Sequence, residues 1–128
     1  MLNYTPETIH IERLSQIAKA LGHPKRIAIL DALIKGVQCN CEIAAQLGLA
    51  DNLISHHMRI LEEAGLVQSE RDPVDARWVY YSVDPEALAQ TCAVLCAFFD
   101  PARIQPRQPV CGPSGGRGCN PAEGSPCP

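Results

Sequence analysis

The chain has 128 residues, a formal net charge of −3 and seven cysteines, and its length fits one domain around a modest core. No apolar run reaches the roughly 18 residues of a membrane span, and the first residues lack the features of a secretory signal. We therefore expect a cytoplasmic protein with no membrane partner. In that reducing compartment, many cysteines favour metal binding or redox sensing over a disulfide scaffold. The negative charge requires any DNA contact to depend on a local basic face.

Helical periodicity predicts four helices in the first half of the chain, each followed by a glycine. Their approximate bounds are residues 7–21, 24–35, 41–47 and 51–64. We expect Asn40 to be the N-cap of the third helix and Asp51 that of the fourth. Ile27 and Ile34 are expected to face inward from the second helix.

Beyond the fourth helix the apolar period becomes alternating, which predicts a β-hairpin with strands at residues 66–70 and 78–83. A last helix from Pro85 to about Phe99 is expected to carry one apolar stripe. The members of that stripe are Leu88, Cys92, Leu95 and Phe99. Residues 101–128 hold seven prolines, five glycines and three cysteines, a composition that predicts a disordered Cys/Pro/Gly-rich tail.

The third and fourth helices are joined by Gly48-Leu49-Ala50, a length typical of a helix-turn-helix. With the hairpin that follows, this pattern predicts a mainly α fold with a β-hairpin wing, the winged helix-turn-helix. The alternative is an ordinary helical hairpin in an all-α core.

In a winged helix-turn-helix, the exposed face near the start of the second helix of the motif enters the major groove of DNA. That face offers side chains able to bond to base edges or phosphates. They are Asn52, Ser55, His56 and Arg59. Arg71 and Arg77 stand at the two bases of the wing loop. His57 has two interpretations, a DNA contact or a histidine packed against the core beside Met58.

Cys39 and Cys41 are the sharpest chemical signal, because thiolates are the preferred ligands of thiophilic ions. A position at a helix start is expected to lower a thiol pKa. Residues i and i+2 of a regular helix are about 200° apart, so one ion can bind both only if the first turn is non-helical or unwinds. Ion binding would then distort the third helix, which is expected to pack against the DNA-contacting fourth helix. The alternative is two buried cysteines acting as small apolar residues.

Several motifs in order resemble the ArsR/SmtB family of metal-responsive repressors over residues 9–99. They are Leu21-Gly22-His23-Pro24-Lys25-Arg26, Cys39-Asn40-Cys41-Glu42-Ile43, Ser55-His56-His57-Met58, Ala64-Gly65-Leu66-Val67 and Arg77-Trp78-Val79-Tyr80-Tyr81. The resemblance implies that residues 1–100 form one DNA-binding and dimerisation domain. It also implies a homodimer through the first and last helices, and an operator that is an imperfect inverted repeat.

The family has a C-x-C-D box whose two cysteines bind arsenite, antimonite, cadmium or lead, and the resemblance assigns that role to Cys39 and Cys41. Glu42 stands where the box has aspartate. The family's carboxylate and histidine zinc site on the last helix is missing, because residues 84–100 contain no histidine.

Further ligands must come from the other cysteines. Cys92 and Cys96 are spaced i, i+4 and share one face of the last helix, where they could bind an ion or simply pack at an interface. Cys111, Cys119 and Cys127 recur along the tail, which could supply a third thiolate or have no function.

Arsenite or antimonite is satisfied by three thiolates and is the first choice of inducer, with cadmium or lead second. Zinc more often requires histidine and closed four-coordination. Two alternatives remain open. One is a repressor of the same fold that senses oxidants or persulfides through a cysteine pair. The other is a metal-sequestering thiol protein without a DNA role. No constellation of catalytic residues indicates an enzyme.

Overall fold

A computed structural model of the chain describes residues 11–37 and 39–107. Five α-helices, two strands and one 3₁₀ turn follow one another along these residues. Their bounds are α1 Ile11–Ala20, α2 Pro24–Ile34, α3 Asn40–Leu47, α4 Asp51–Glu63, β1 Gln68–Arg71, β2 Val79–Ser82, α5 Pro85–Phe98 and the 3₁₀ turn Pro101–Arg103. No helix in this part of the chain has the length and apolarity needed to cross a membrane.

The core lies where α2, α3 and α4 meet the start of the hairpin. Ile29, Ile43, Ile54 and Leu61 are fully shielded from solvent and belong to one hydrophobic cluster. The two strands pair antiparallel, with Ser69 opposite Tyr81. Helix α4 packs against α3 and α2, and its opposite face is exposed to solvent.

The predicted turn between α3 and α4 is confirmed. Gly48 ends α3 with a φ of 65°, a left-handed conformation that glycine adopts without steric penalty. The two helices pack against each other directly. Helix, turn, helix and antiparallel hairpin follow one another as the sequence predicts, which confirms the winged helix-turn-helix.

The predicted N-caps of α3 and α4 are wrong by one residue. Asn40 is the first helical residue of α3, and its N-cap is Cys39 in an extended conformation. Asp51 is likewise the first residue of α4, and Ala50 is its N-cap. Neither cap residue accepts a side-chain hydrogen bond from a backbone N–H of its helix. Asp51 still places a negative charge in the first turn, where the helix dipole favours it.

Two isoleucines that the sequence placed in the core are exposed, and the apolar stripe predicted on α5 also lies outside the core of this chain. Ile27 and Ile34 of α2 are 52% and 53% exposed, whereas Leu33, which was also expected to face inward, is buried together with Ile29. On α5 the buried residues are Thr91 and Val94, while the predicted stripe is exposed or half-buried. Hydrophobic periodicity identifies an apolar face, but it does not tell a core contact from a surface.

The predicted tail begins with structure. Asp100 accepts a hydrogen bond from the backbone N–H of Ala102 and caps the 3₁₀ turn that follows α5. Residues 104–107 are exposed without regular structure, and residues 108–128, with Cys111, Cys119 and Cys127, lie outside the described residues.

Candidate nucleic-acid interface and thiol site

One cleft of about 420 Å³ lies between the start of α3, the first turns of α4 and the wing. Its lining combines the two sharpest predictions from the sequence, the thiol pair and part of the DNA-reading surface. The lining residues are Cys39, Asn40, Cys41, Asp51, Ser55, Arg71, Arg77, Trp78, Val79 and Tyr81. A ligand held by the thiols would therefore lie beside side chains predicted to bind DNA.

The predicted DNA-reading residues of α4 lie together on its exposed face. They are Asn52, Ser55, His56 and Arg59. His57 is different, because it is only 5% exposed and belongs to the inner face of α4. Its ring is held against the core and is not available to DNA, so the DNA contact predicted for His57 is wrong and the packed interpretation is the correct one.

Hydrogen bonds within the wing loop determine its shape. The Asp72 carboxylate accepts from the backbone N–H groups of Val74 and Asp75 at 2.8 and 3.0 Å, and from the Tyr80 hydroxyl at 3.1 Å. The two N–H groups, with the Tyr80 hydroxyl after them, lower the Asp72 pKa because they stabilise its charged form. The carboxylate therefore stays ionised and keeps the loop organised.

Both wing arginines are exposed and already make contacts. Arg71 donates to the Ala76 carbonyl oxygen at 2.7 Å, which ties the first base of the loop to the second. Arg77 forms an ion pair with Asp75 at 2.8 Å, and its side chain is 89% exposed. An exposed pair of this kind contributes little to stability, so the Arg77 guanidinium can exchange its partner for a phosphate at small cost.

The sulfurs of Cys39 and Cys41 lie 2.7 Å apart. Cys39 has extended backbone and Cys41 is the second residue of α3, so both thiols point to the same side. Of the two conditions expected from the sequence, a non-helical first cysteine or an unwinding first turn, the first one holds, because Cys39 lies outside the helix. Cys39 is buried, whereas Cys41 is exposed. This pair can hold one ion with access from solvent.

The Cys39 thiol is a weaker acid than the sequence suggested. Burial first, then hydrogen bonds with Cys41 and Glu42, raises its pKa to about 11. The thiol donates to Glu42 Oε1 at 3.0 Å, which stabilises the protonated form. The expected lowering by the helix start is thus wrong for Cys39, because desolvation disfavours the thiolate more strongly.

The thiol pair is connected to both DNA-reading elements. The backbone of Cys39 pairs with Tyr80 of β2 in an isolated antiparallel bridge. Between the cysteines, the Asn40 side chain donates to Ser55 Oγ of α4 at 3.4 Å. Sequence reasoning missed both contacts, since a single bridge leaves no periodic pattern and Asn40 was interpreted as a cap.

A further connection links α1 to α4. The Arg26 guanidinium donates to two carbonyl oxygens at the end of α1 at 3.1 and 2.7 Å, and to His57 Nδ1 at 3.3 Å. Arg13 of α1 donates to the Ala64 carbonyl oxygen at the end of α4, at 2.6 Å. Burial, followed by the charges of His23 and Arg26, lowers the His57 pKa. A neutral His57 can accept from Arg26, so these contacts anchor α4 to α1.

The second predicted thiol pair lies on a different element. Cys92 and Cys96 of α5 are both exposed, with their sulfurs 3.8 Å apart. Within residues 11–37 and 39–107, no group of three or more His, Cys, Asp or Glu side chains forms a metal site. Each cysteine pair thus supplies two sulfur donors.

The helix-turn-helix, the exposed polar face of α4 and the arginine-bearing wing define a DNA-binding regulator. Residues 23–69 match the family described as "Bacterial regulatory protein, arsR family". An uncharacterized HTH-type transcriptional regulator of Methanocaldococcus jannaschii is 39% identical over 57% of this chain and 81% of its own length. A "Transcriptional repressor SmtB homolog" of Synechocystis is 33% identical over 61% of this chain and 59% of its own length.

Solved structures give the same result. The crystal structure of a possible transcriptional regulator for arsenical resistance has a TM-score of 0.57 and 33% identity, over 66% of this chain and 84% of that one. The chain therefore belongs to the ArsR/SmtB family of transcriptional repressors. The predicted family is confirmed, as is the prediction that the protein is not an enzyme.

Proposed function

We propose that this repressor leaves its operator when a thiophilic ion binds the thiolates of Cys39 and Cys41. The first choice of inducer is arsenite or antimonite, and the second is cadmium or lead. The observation that carries the proposal is the position of the two adjacent sulfurs in a cleft also lined by Ser55 and Arg71.

Cys39 and Cys41 supply two of the sulfur ligands that a thiophilic ion requires. Two thiols with sulfurs 2.7 Å apart can bind the same soft ion. Arsenite is satisfied by three sulfurs, so one more ligand is needed. We assign that role to a tail cysteine, Cys111 or Cys119, with a retained hydroxide as the alternative. The similarity to the solved structure of a possible transcriptional regulator for arsenical resistance supports arsenite as the first inducer to test.

Ion capture changes the contacts of the pair. The bound ion replaces the proton with which the Cys39 thiol donates to Glu42 Oε1, so the side-chain contact between Cys39 and the first turn of α3 is lost. Cys39 is held by its bridge to Tyr80, so the adjustment falls mainly on Cys41 and the first turn of α3. Because α3 packs on α4, the DNA-reading helix is displaced.

The DNA complex follows from the exposed face of α4. We assign Asn52, Ser55, His56 and Arg59 to the major groove, and Arg71 and Arg77 to the backbone or minor groove beside it. The operator is an imperfect inverted repeat bound by a homodimer. Exposed apolar side chains on the packed pair α1 and α5 support their role as the dimer interface, since Ile11 and Phe99 are 74% and 71% exposed.

The test is operator binding measured by fluorescence anisotropy on a duplex from the protein's own promoter. The chain should bind with an affinity that falls as salt rises, as phosphate contacts require. Under anaerobic, reducing conditions, arsenite or cadmium should weaken binding by about 5- to 150-fold, the usual range of allosteric coupling. An absence of salt-sensitive binding would refute the DNA assignment, and an absence of any ion effect would refute the inducer assignment.

A second candidate function rests on Cys92 and Cys96. Their exposed sulfurs, 3.8 Å apart, can react with an oxidant or a polysulfide and form a disulfide or polysulfide bridge. If peroxide or polysulfide releases DNA while arsenite and cadmium do not, and Cys92→Ser/Cys96→Ser abolishes that release, the redox function replaces the ion function. The sequestering alternative is not retained, because the family consists of transcriptional regulators.

A further inference from the structure

Asn40 lies between the two proposed ion ligands and contacts the DNA-reading helix. It is the first residue of α3, and its amide nitrogen donates to Ser55 Oγ at 3.4 Å. Both residues line the cleft that contains the thiol pair. Any movement of the flanking cysteines therefore passes through the backbone that carries the Asn40 side chain.

The same amide also reaches the wing. Burial, followed by the Glu62 charge, raises the Tyr81 pKa, while Arg71 and a hydrogen bond from Asn40 act in the opposite direction. Asn40 and Tyr81 also line the same cleft. Asn40 thus faces one residue of α4 and one residue of β2, the two elements that form the predicted DNA surface.

The acceptor side of the Asn40 amide makes no hydrogen bond to the residues that the structure describes. Its Oδ1 atom is buried and has no hydrogen-bond partner among the described residues. A buried acceptor without a partner is unfavourable by about 1–3 kcal/mol. The present placement of the side chain is therefore held by its donor contacts and not by its acceptor, and a small movement of α3 can release it.

We propose that Asn40 is the positioning residue that transmits ion capture at Cys39 and Cys41 to Ser55 of the DNA-reading helix. The inference rests on the proposed function and concerns its regulation. When an ion replaces the Cys39 proton, the thiol no longer donates to Glu42 and the first turn of α3 moves. The Asn40 amide then leaves Ser55 Oγ, and the first turns of α4 lose the contact that orients them for DNA. Asn40 binds neither ion nor DNA in this scheme.

The backbone bridge between Cys39 and Tyr80 offers a second route, directly to the wing. Substitution of the Asn40 side chain leaves that bridge in place, because the bridge is formed by the main chain. The two routes are therefore separable by experiment. Full coupling in the absence of the amide would assign the transmission to the bridge.

The experiment compares Asn40→Ala and Asn40→Leu with Gln46→Ala, an exposed residue of the same helix. Operator Kd is measured with and without sodium arsenite, and arsenite affinity is measured by thiolate-to-arsenic absorbance. Wild type and Gln46→Ala should show a coupling factor of about 5- to 150-fold. Both Asn40 variants should keep the arsenite affinity of wild type, while their coupling factor falls below about twofold.

A coupling factor equal to that of wild type in either folded Asn40 variant overturns the inference and leaves the proposed function intact. If wild type itself does not respond to arsenite, the proposed function fails and the inference fails with it. A measurement on wild type alone adds a test that does not depend on a variant folding. The assigned Asn40 side-chain amide signals in a ¹⁵N–¹H NMR spectrum should shift on addition of arsenite, and unchanged signals overturn the inference.

Discussion

The acidity of the Cys39 thiol predicts how pH should affect the binding of each candidate inducer. Its pKa of about 11, caused first by burial and then by hydrogen bonds with Cys41 and Glu42, keeps the thiol protonated throughout the neutral range. At about pH 8 only about one molecule in a thousand carries the Cys39 thiolate, by the ordinary titration relation. The proton must therefore leave whenever an ion binds this sulfur.

The fate of that proton differs between the ions. Cadmium releases the proton of each thiol that it binds to solvent, so its apparent affinity rises about tenfold per pH unit for the Cys39 proton alone, or roughly 100-fold from about pH 6 to about pH 8. Arsenite exchanges each of its hydroxyl groups for a cysteine sulfur, and the displaced hydroxyl leaves as water after taking up the thiol proton. No net proton is released, so arsenite affinity should not change systematically over the same range.

The assay is a titration of the anaerobic protein at several pH values, followed by metal–thiolate charge-transfer absorption, with a competing chelator for cadmium. Cys39→Ser is the matched control and should lower the pH dependence of cadmium binding by about one log unit per pH unit. Cadmium affinity independent of pH would show that Cys39 does not ionise on binding. An arsenite affinity that rises steeply with pH would refute the exchange described above.

Three further predictions concern stability and DNA binding. Ile54→Ala should lower the free energy of unfolding in urea by about 2–5 kcal/mol, because Ile54 is fully buried. The control Val74→Ala, at 94% exposure, should change it by less than about 0.5 kcal/mol. Equal effects of the two substitutions would contradict the placement of Ile54 in the core. Since the folded-state pKa of His57 lies below the ordinary 6.5, the unfolded state takes up the proton first, so stability should fall as pH drops below about 6.5. His57→Gln should flatten that pH dependence in thermal unfolding, and an unchanged profile would exclude His57 as its cause. Arg77→Ala should weaken operator binding and reduce the slope of log K against log salt by about one; an unchanged slope would remove Arg77 from the phosphate contacts.

Local signals in the sequence were sufficient to predict the winged helix-turn-helix. The glycines after the helices, the three-residue turn and the change to alternating periodicity placed α3, α4 and the hairpin close to their observed bounds. Gly48 is the clearest case, because its left-handed conformation is a local requirement of the turn. Boundaries at helix starts were less predictable. A capping side chain was expected at Asn40 and Asp51, but the N-caps are Cys39 and Ala50, and neither side chain bonds to the backbone N–H groups of its helix.

Contacts between residues far apart in the chain, and the burial that results from them, could not be predicted from the sequence. The bridge between Cys39 and Tyr80 joins residues about forty positions apart and depends on how α3 meets the hairpin. Burial determines the acidity of Cys39, and burial is a property of the folded chain, so the helix-start argument gave the wrong direction. The exposed isoleucines of α2 show the same limit, because periodicity alone does not say what an apolar face contacts.

The most direct test of the central claim compares two double variants in an arsenite dose response of operator binding. Cys92→Ser/Cys96→Ser removes the exposed thiols of α5 and should release DNA at the same dose as wild type. Cys39→Ser/Cys41→Ser removes the sulfurs in the shared cleft and should stay bound at every dose that releases wild type. Release of the Cys39→Ser/Cys41→Ser protein at the wild-type dose would contradict the account.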